Sequence, residues 1–345
     1  MVKGPSCEGV SEPFPLPTTI IGAVFAAMNT LLKRRTQKCD SLSIDEVEQK
    51  FVESLGSSAS VRGPFVPGQR AVAVHLWPGK IIKITCQGDT VSLEVLKLKK
   101  RDEEYHIRYI GTALREDRRT VVRHLLYAES LLDVNSLGKL LRENGLDGSI
   151  AVDFINVDAS SIAPSIGHIA RLGAESRPVL LSREDTPLLY NFVKDLVSKL
   201  DCSDSYFVYV VSPILISPCE DLIKSLSRGE RINLSEFMEE DFEKDVEISV
   251  PRIRELENLF KDEKDITRLA KQVRVNIAML SPGFDTVRVC PRPALVAIMP
   301  GSILKLEGVD KKAILEVWKR GLGLYSRLGW GTFIPLPEGK VKAHL

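Results

Sequence analysis

Gly321-Leu322-Gly323-Leu324-Tyr325-Ser326-Arg327-Leu328-Gly329-Trp330-Gly331 holds four glycines in two Gly-apolar-Gly units, with five residues between the units. Glycine tolerates positive φ and admits another backbone to contact distance, at an entropic cost. Tyr325, Arg327 and Trp330 add two flat rings and one cation. Exposed amides, a cation and aromatic faces are what hold a phosphate backbone and stack an unpaired base. The run also reads as a pair of strand-end turns. Trp330, an aromatic between glycines, suits a core plug as well as a stacking platform.

Upstream of this run the spacing predicts a helix over 311–319 and strands over 273–280, 294–299 and 303–306, with Pro300-Gly301-Ser302 as a turn. A helix over 186–200, a strand over 206–211 and a helix over 218–226 come before them. The segment 228–271 changes character. Glu236, Glu239, Glu240, Asp241, Glu243, Asp245 and Glu247 are interrupted by Lys244 alone, which reads as a surface insertion that repels RNA. Its part 252–260 has helical apolar spacing suited to docking.

The N-terminal half opens with Gly4, Pro5, Gly9, Pro13, Pro15 and Pro17, an extended lead. A helix is expected from an N-cap at Thr18 to about Lys38, with Ile21, Val24, Phe25, Met28, Leu31 and Leu32 on one face. The amides at Thr18 and Thr19, with no acid after them, form an anion site. Lys33, Arg34 and Arg35 near the helix end either complement its dipole or contact phosphate. Ser43-Ile44-Asp45-Glu46 is a capping box for a second helix. Strands follow at 71–76, 80–86, 90–98 and 104–110, joined by Pro78-Gly79 and Gly88-Asp89 turns. Arg115, Arg118, Arg119 and Arg123 come close after Lys97, Lys99, Lys100 and Arg101. This is a solvated face or an arm that tracks RNA. A short helix over 136–144, a buried strand over 149–157 and the turn Gly173-Ala174-Glu175-Ser176-Arg177 complete the half.

Helices and strands alternate in each half, which predicts an α+β fold built from ferredoxin-like βαββαβ units, one over 1–160 and one over 161–345. A length of 345 residues suits two such domains. Net charge is only +1, so any nucleic-acid contact must come from segregated patches. The six cysteines form no Cys-x-x-Cys pair and the five histidines are dispersed, so neither a zinc site nor a disulfide framework is expected. The N-terminus lacks a signal-peptide layout and no apolar run reaches membrane-spanning length. A reducing cytoplasm is expected.

Five stretches, in order, carry a family resemblance. They are Pro15 to Ala23; Ile110 to Leu114 with Val121 to Tyr127; Leu172 to Arg177; Gly283-Phe284-Asp285 with Ile298 to Leu304; and Leu328 to Gly331. The set resembles the RAMP superfamily of CRISPR effector subunits, most nearly subunit three of the type III-B complex. The resemblance implies two ferredoxin-like domains with inserted hairpins, no catalysis, no metal and no cofactor. It implies a cytoplasmic subunit of an antiviral ribonucleoprotein that grips the 5′ repeat-derived tag of the guide RNA. Such a subunit joins a large cyclase-polymerase-like subunit to a backbone RAMP subunit. Carried over, the RNA contacts fall on Thr18 and Thr19, on Glu175, Ser176 and Arg177, and on Gly329, Trp330 and Gly331. Gly321, Gly323 and Arg327 complete the glycine loop, and Lys33, Arg34, Arg35, Arg118 and Arg119 form a phosphate patch.

Two departures stand out. Family members open with a β-strand, and none is legible in residues 1–14, which implies a missing first strand and a coding sequence continuing upstream. Phe284 stands where the family has Trp, which removes an indole donor. Two other functions fit the same residues. A metal-independent RAMP endoribonuclease would need a general base or acid, for which His75, His106, His124 and His168 are the candidates. The paralogous type III-A subunit would share the binding role.

Overall fold

The computed structural model describes residues 8–10, 14–28, 44–77, 79–96, 106–114, 121–132, 134–163, 166–167, 169–172, 177–184, 186–216, 232–233, 246–260, 275–282, 284–285, 290–291 and 293–344. In chain order the first elements are β1 (Glu8–Val10), α1 (Pro17–Ala27), α2 (Ile44–Leu55), β2 (Ser60–Gly68), β3 (Ala71–Leu76), β4 (Lys80–Gln87) and β5 (Thr90–Val95). Then come β6 (His106–Leu114), β7 (Val121–Leu132), α3 (Val134–Glu143), β8 (Ala151–Ile155), α4 (Ala159–Ile162), β9 (Ile169–Leu172), β10 (Arg177–Leu180) and α5 (Leu188–Lys199). The remainder is β11 (Ser205–Val210), β12 (Ile214–Ile216), β13 (Ile232–Asn233), β14 (Glu247–Ser249), α6 (Ile253–Leu259), β15 (Ile277–Leu280), β16 (Phe284–Asp285), β17 (Cys290–Pro291), β18 (Leu295–Ile298), β19 (Ile303–Glu307), α7 (Ala313–Arg320), β20 (Phe333–Leu336) and β21 (Val341–His344). The fold is mixed α+β.

Two large sheets face one core. The first is six-stranded in the order β21-β5-β4-β3-β2-β8. Strands β2 to β5 form a meander because short turns link each to the next, leaving no room for a crossover helix. This departs from the βαββαβ order expected for residues 1–160. Successive residues of β3 alternate between two cores. Val72, Val74 and Leu76 face the main core, while Ala71 and Ala73 face α3 through Leu137, Leu140 and Leu141. The second sheet is five-stranded, β13-β14-β19-β11-β20, with antiparallel pairing throughout. Helix α7 connects β19 to β20.

The halves are stitched together. Parallel pairing of β21 with β5 places the chain's last strand in the first sheet. The main core is continuous across both sheets, from Phe65, Ile82 and Leu93 to Val208, Leu304 and Phe333. The turn Met299 to Ser302 rivets the two. Trp77 N–H donates to the Pro300 carbonyl at 3.1 Å and Gly301 N–H to the Val210 carbonyl at 2.9 Å. A Cβ at Gly301 would stand 2.4 Å from Leu76 Cδ1. The Pro-Gly-Ser motif is therefore a packing junction.

Helix ends are capped by distant side chains. Asp153, on β8, accepts from the amides of Leu188 at 3.0 Å and Tyr190 at 2.7 Å at the start of α5. Lys311 Nζ donates to the Ser198 carbonyl at 3.0 Å and also to that of Leu200, at the end of α5. Lys83 Nζ donates to the Asn144 carbonyl at 2.6 Å, just past α3. These cations satisfy carbonyls that a helix leaves without partners. Burial raises the Asp153 carboxyl to about 6, against the pull of the backbone amides of Tyr190, Leu188 and Leu189.

A strand does precede the first helix. Glu8–Val10 pairs in parallel with β7, in a three-stranded β1-β7-β6 sheet separate from the six-stranded one. Three residues among prolines and glycines were too short to show a period. Helix α1 has Pro17 at its first position and Leu16 as N-cap, without a side-chain cap, so Thr18 lies inside it. The basic end expected for that helix, with Lys33, Arg34 and Arg35, lies outside the described residues. So do Arg118 and Arg119, the expected helix over 218–226 and most of the acidic run.

Candidate nucleic-acid interface

Three motifs distant in sequence come together around α1. Gly329 lies against its first residue: a Cβ on Gly329 would stand 3.2 Å from Pro17 Cβ. The Thr18 hydroxyl donates to the Pro282 carbonyl at 2.9 Å, drawing in the segment that leads to Gly283-Phe284-Asp285. Helix α1 also runs beside β9, the first strand of the hairpin whose other strand begins at Arg177. A second core lies beneath, with Ile21, Phe25, Phe51, Val61, Leu215, Met299, Leu328 and Trp330. Thr18 and Thr19 are half-buried at the helix start, and the first turn carries no acid. The expectation of an open amide at Thr19 is corrected, because that N–H donates to the Leu16 carbonyl at 2.9 Å. Glu175 and Ser176 lie outside the described residues, as does the Arg177 side chain.

The glycine loop is built differently from its sequence reading. Its amides serve internal bonds: Leu322 N–H to the Gly331 carbonyl at 3.0 Å, Leu324 N–H to Leu215 at 2.8 Å, Gly329 N–H to Ser326 at 3.0 Å and Gly331 N–H to Pro213 at 2.9 Å. The glycines let the chain approach itself. At Gly331 (φ +64°) a Cβ would lie 1.8 Å from the Leu322 carbonyl oxygen, and at Gly323 (φ +78°) 2.4 Å from that of Leu215. Side chains cannot occupy such positions. This corrects the reading of bare amides open to a phosphate.

Trp330 is corrected likewise. It is 0% exposed and sits in the second core, so its ring faces are covered by protein and offer no base a stacking surface. Its indole Nε1 has no hydrogen-bond partner among the described residues. The other described tryptophan at this junction, Trp318, donates to the Phe333 carbonyl at 2.7 Å.

Leu324, Tyr325, Ser326 and Arg327 are the half-buried stretch of the loop and supply its outer surface. Tyr325 has a left-handed backbone (φ +56°), uncommon for a side-chain-bearing residue, and its hydroxyl donates to Asp45 Oδ1 at 2.9 Å. Arg327 Nη1 donates to the Ser57 carbonyl at 2.7 Å. Both therefore lean on α2 and the turn after it. Ser212 Oγ donates to the Gly329 carbonyl at 2.7 Å from below, and Thr332 Oγ1 donates to it at 3.1 Å.

Arg62 gave no signal in the sequence. It lies on β2 and is fully buried. Its Nε donates to the Trp318 carbonyl and its Nη1 to the Ser326 carbonyl, each at 2.7 Å, with further bonds to the carbonyls of Val61 and Lys319. Ser60 Oγ donates to the same Lys319 carbonyl at 2.7 Å. Strand β2 thus holds the end of α7 and the loop beyond it. Desolvation lowers the guanidinium to about 9. A lone arginine between Val61 and Gly63 resembles a solvent-facing strand residue, and only the apolar surroundings at Val61 and Phe65 hint otherwise.

Among the histidines, His75 is buried. Its ring lies 6.1 Å from that of Phe14 and its backbone carbonyl accepts from the Tyr209 hydroxyl at 2.9 Å. His106 and His124 are placed only as backbone positions on β6 and β7, and His168 lies outside the described residues. No group of His, Cys, Asp or Glu able to hold a metal ion occurs among the described residues. No described helix is long and apolar enough to cross a membrane.

No protein-family model and no curated protein matches the sequence. Among solved structures, the chain is similar to a chain of Type III-B Cmr-beta bound to cognate target RNA and AMPPnP. Identity is 17%, coverage 96% of this chain and 94% of that one, and the TM-score 0.45. It is also similar to a chain of Type III-B Cmr-beta bound to cognate target RNA, with 17% identity, coverage of 98% and 92%, and a TM-score of 0.47.

Proposed function

We propose that this chain is a non-catalytic RNA-binding subunit of a type III-B CRISPR effector, holding the 5′ repeat-derived tag of the guide RNA. The observation that carries the reading is convergence. The motifs at Pro15 to Ala23 and Leu328 to Gly331 are separated by some three hundred residues, yet Pro17 and Gly329 touch. The hairpin of the third motif flanks the same helix through β9. Residues that meet for packing alone would not need an acid-free helix start beside an arginine-bearing turn. A helix start attracts phosphate through its dipole as well as its amides. Here the dipole carries the attraction, because Pro17 has no N–H and the Thr19 and Ile20 amides donate to the Leu16 carbonyl at 2.9 and 3.3 Å.

The second sheet supports the architecture. Its strands β14-β19-β11-β20 stand in the order 2-3-1-4, antiparallel, with α7 between the third and fourth, as in a split βαβ pair. The first sheet serves as the platform that bears on it. In this role the chain works beside a large cyclase-polymerase-like subunit and a backbone RAMP subunit, in the cytoplasm, in antiviral defence.

The test is filter binding of tag-bearing guide RNA by the chain with its large partner, across a salt series. Arg177→Ala and Arg327→Ala should each cost about 1–3 kcal/mol and lower the slope of log K against log salt by about 1. Parent-like binding and slope in both variants would remove the proposed interface.

A further inference from the structure

We infer that Arg62 is the positioning residue of the 321–331 loop. Its structural effect stands alone, while its effect on RNA rests on the binding role proposed above. The loop carries five left-handed residues, Gly321, Gly323, Tyr325, Gly329 and Gly331. Such a backbone needs holding from outside. Its two limbs are tied to each other by Leu322 to Gly331, and to the segment around β12 by Gly331 to Pro213 and Leu324 to Leu215. The outward turn at Ser326 to Leu328 is reached differently. The Ser326 carbonyl accepts from Gly329 N–H and from Arg62 Nη1. The same guanidinium holds the last carbonyls of α7 at Trp318 and Lys319. One planar fork therefore sets the spacing between the helix end and the turn that presents Tyr325 and Arg327.

Gly321 makes room for it, since a Cβ there would stand 3.1 Å from the guanidinium carbon and both terminal nitrogens. Lysine cannot substitute, because a compact ammonium lacks the rigid fork that spans both acceptor sets. Arg62 has no exposed surface, so it acts on RNA only through the loop.

The test compares the full chain with Arg62→Lys, Arg62→Gln and Ser60→Ala by hydrogen exchange and mass spectrometry. Ser60→Ala removes a second donor from the Lys319 carbonyl while sparing Ser326. In both Arg62 variants, peptides spanning 321–331 should exchange at least about tenfold faster, with peptides of β11 unchanged. Ser60→Ala should leave the loop at the parent's rate. Tag-RNA affinity of the Arg62 variants should fall about tenfold, with the salt slope unaltered because no phosphate contact is lost. Parent-like loop exchange in both Arg62 variants overturns the inference. So does exchange that rises equally in β11, or a Ser60→Ala effect on the loop as large as theirs. Loosened loops with undiminished tag affinity overturn its functional half. A parent chain that fails to bind the tag counts against the RNA reading alone and leaves the exchange result standing.

Discussion

Replacing Trp330 by alanine separates a core role from a stacking role. The side chain is 0% exposed and shares a cluster with Ile21, Phe25, Val61, Leu215, Met299 and Leu328. A buried tryptophan removes about 200 Å² from water, which at about 25 cal/mol per Å² is about 5 kcal/mol as an upper figure. Large-to-small changes of this kind cost about 3–5 kcal/mol once partial collapse of the cavity is included. Trp330→Phe should be far milder. It gives up part of that area but also removes a buried Nε1 with no partner among the described residues, so it should stay within about 2 kcal/mol of the parent. Urea unfolding followed by far-ultraviolet circular dichroism reads both changes. Filter binding of tag-bearing RNA, at a temperature where each variant is folded, should show affinities within about threefold of the parent. A Trp330→Ala protein that loses less than about 1 kcal/mol of stability yet binds RNA tenfold more weakly would refute the reasoning, because that is how a stacking residue behaves.

Asp153 predicts a pH effect. Its folded value near 6 lies above that of an unfolded aspartate, so it lends stability that is full below about pH 4 and is lost as pH rises through 6. Stability of the parent relative to Asp153→Asn should therefore fall by about 3 kcal/mol between about pH 4 and 7, and a pH-independent difference would contradict this. Gly331→Ala should abolish soluble folded protein, since its Cβ would collide with the Leu322 carbonyl; a native circular-dichroism spectrum and parent-like melting would count against the loop geometry. Lys311→Met should destabilise by about 1–2 kcal/mol through loss of the bonds at the end of α5, measured by urea unfolding, and no change would mean the cap is idle. Alanine at His75, His106, His124 or His168 should leave repeat RNA uncut, as in the parent, with or without Mg²⁺, whereas cleavage by the parent that one such change abolishes would establish the nuclease.

Regular elements with a clear period were legible. Ala71–Leu76 matches its predicted span, and Lys80–Gln87 extends its own by one residue. Strand β2 was missed because Gly63, Pro64, Pro67 and Gly68 interrupt it with residues that strands usually exclude. That omission concealed Arg62, whose partners at Trp318, Lys319 and Ser326 lie more than two hundred residues away. Close backbone approach in the glycine loop was legible, but its purpose was not. Glycine spacing shows that a backbone must come close, without saying whose, and here it is the chain's own. The hairpins joining β3, β4 and β5 were legible from their Pro78-Gly79 and Gly88-Asp89 turns, whereas the addition of β2 and β8 at one edge and β21 at the other was not. Helix caps supplied across the fold, such as Asp153 and Lys311, leave no local pattern to read.

The central claim is that the start of α1, the β9–β10 hairpin and the outer turn of the glycine loop form one RNA face. Photo-crosslinking measures it most directly, with guide RNA carrying a 4-thiouridine in the tag or, separately, in the guide portion, and the attached peptides identified by mass spectrometry. The account predicts that tag crosslinks fall within residues 15–22, 169–180 and 324–328, and that guide-portion crosslinks do not. Tag crosslinks confined to other parts of the chain, or equal labelling from both RNA positions, would contradict it.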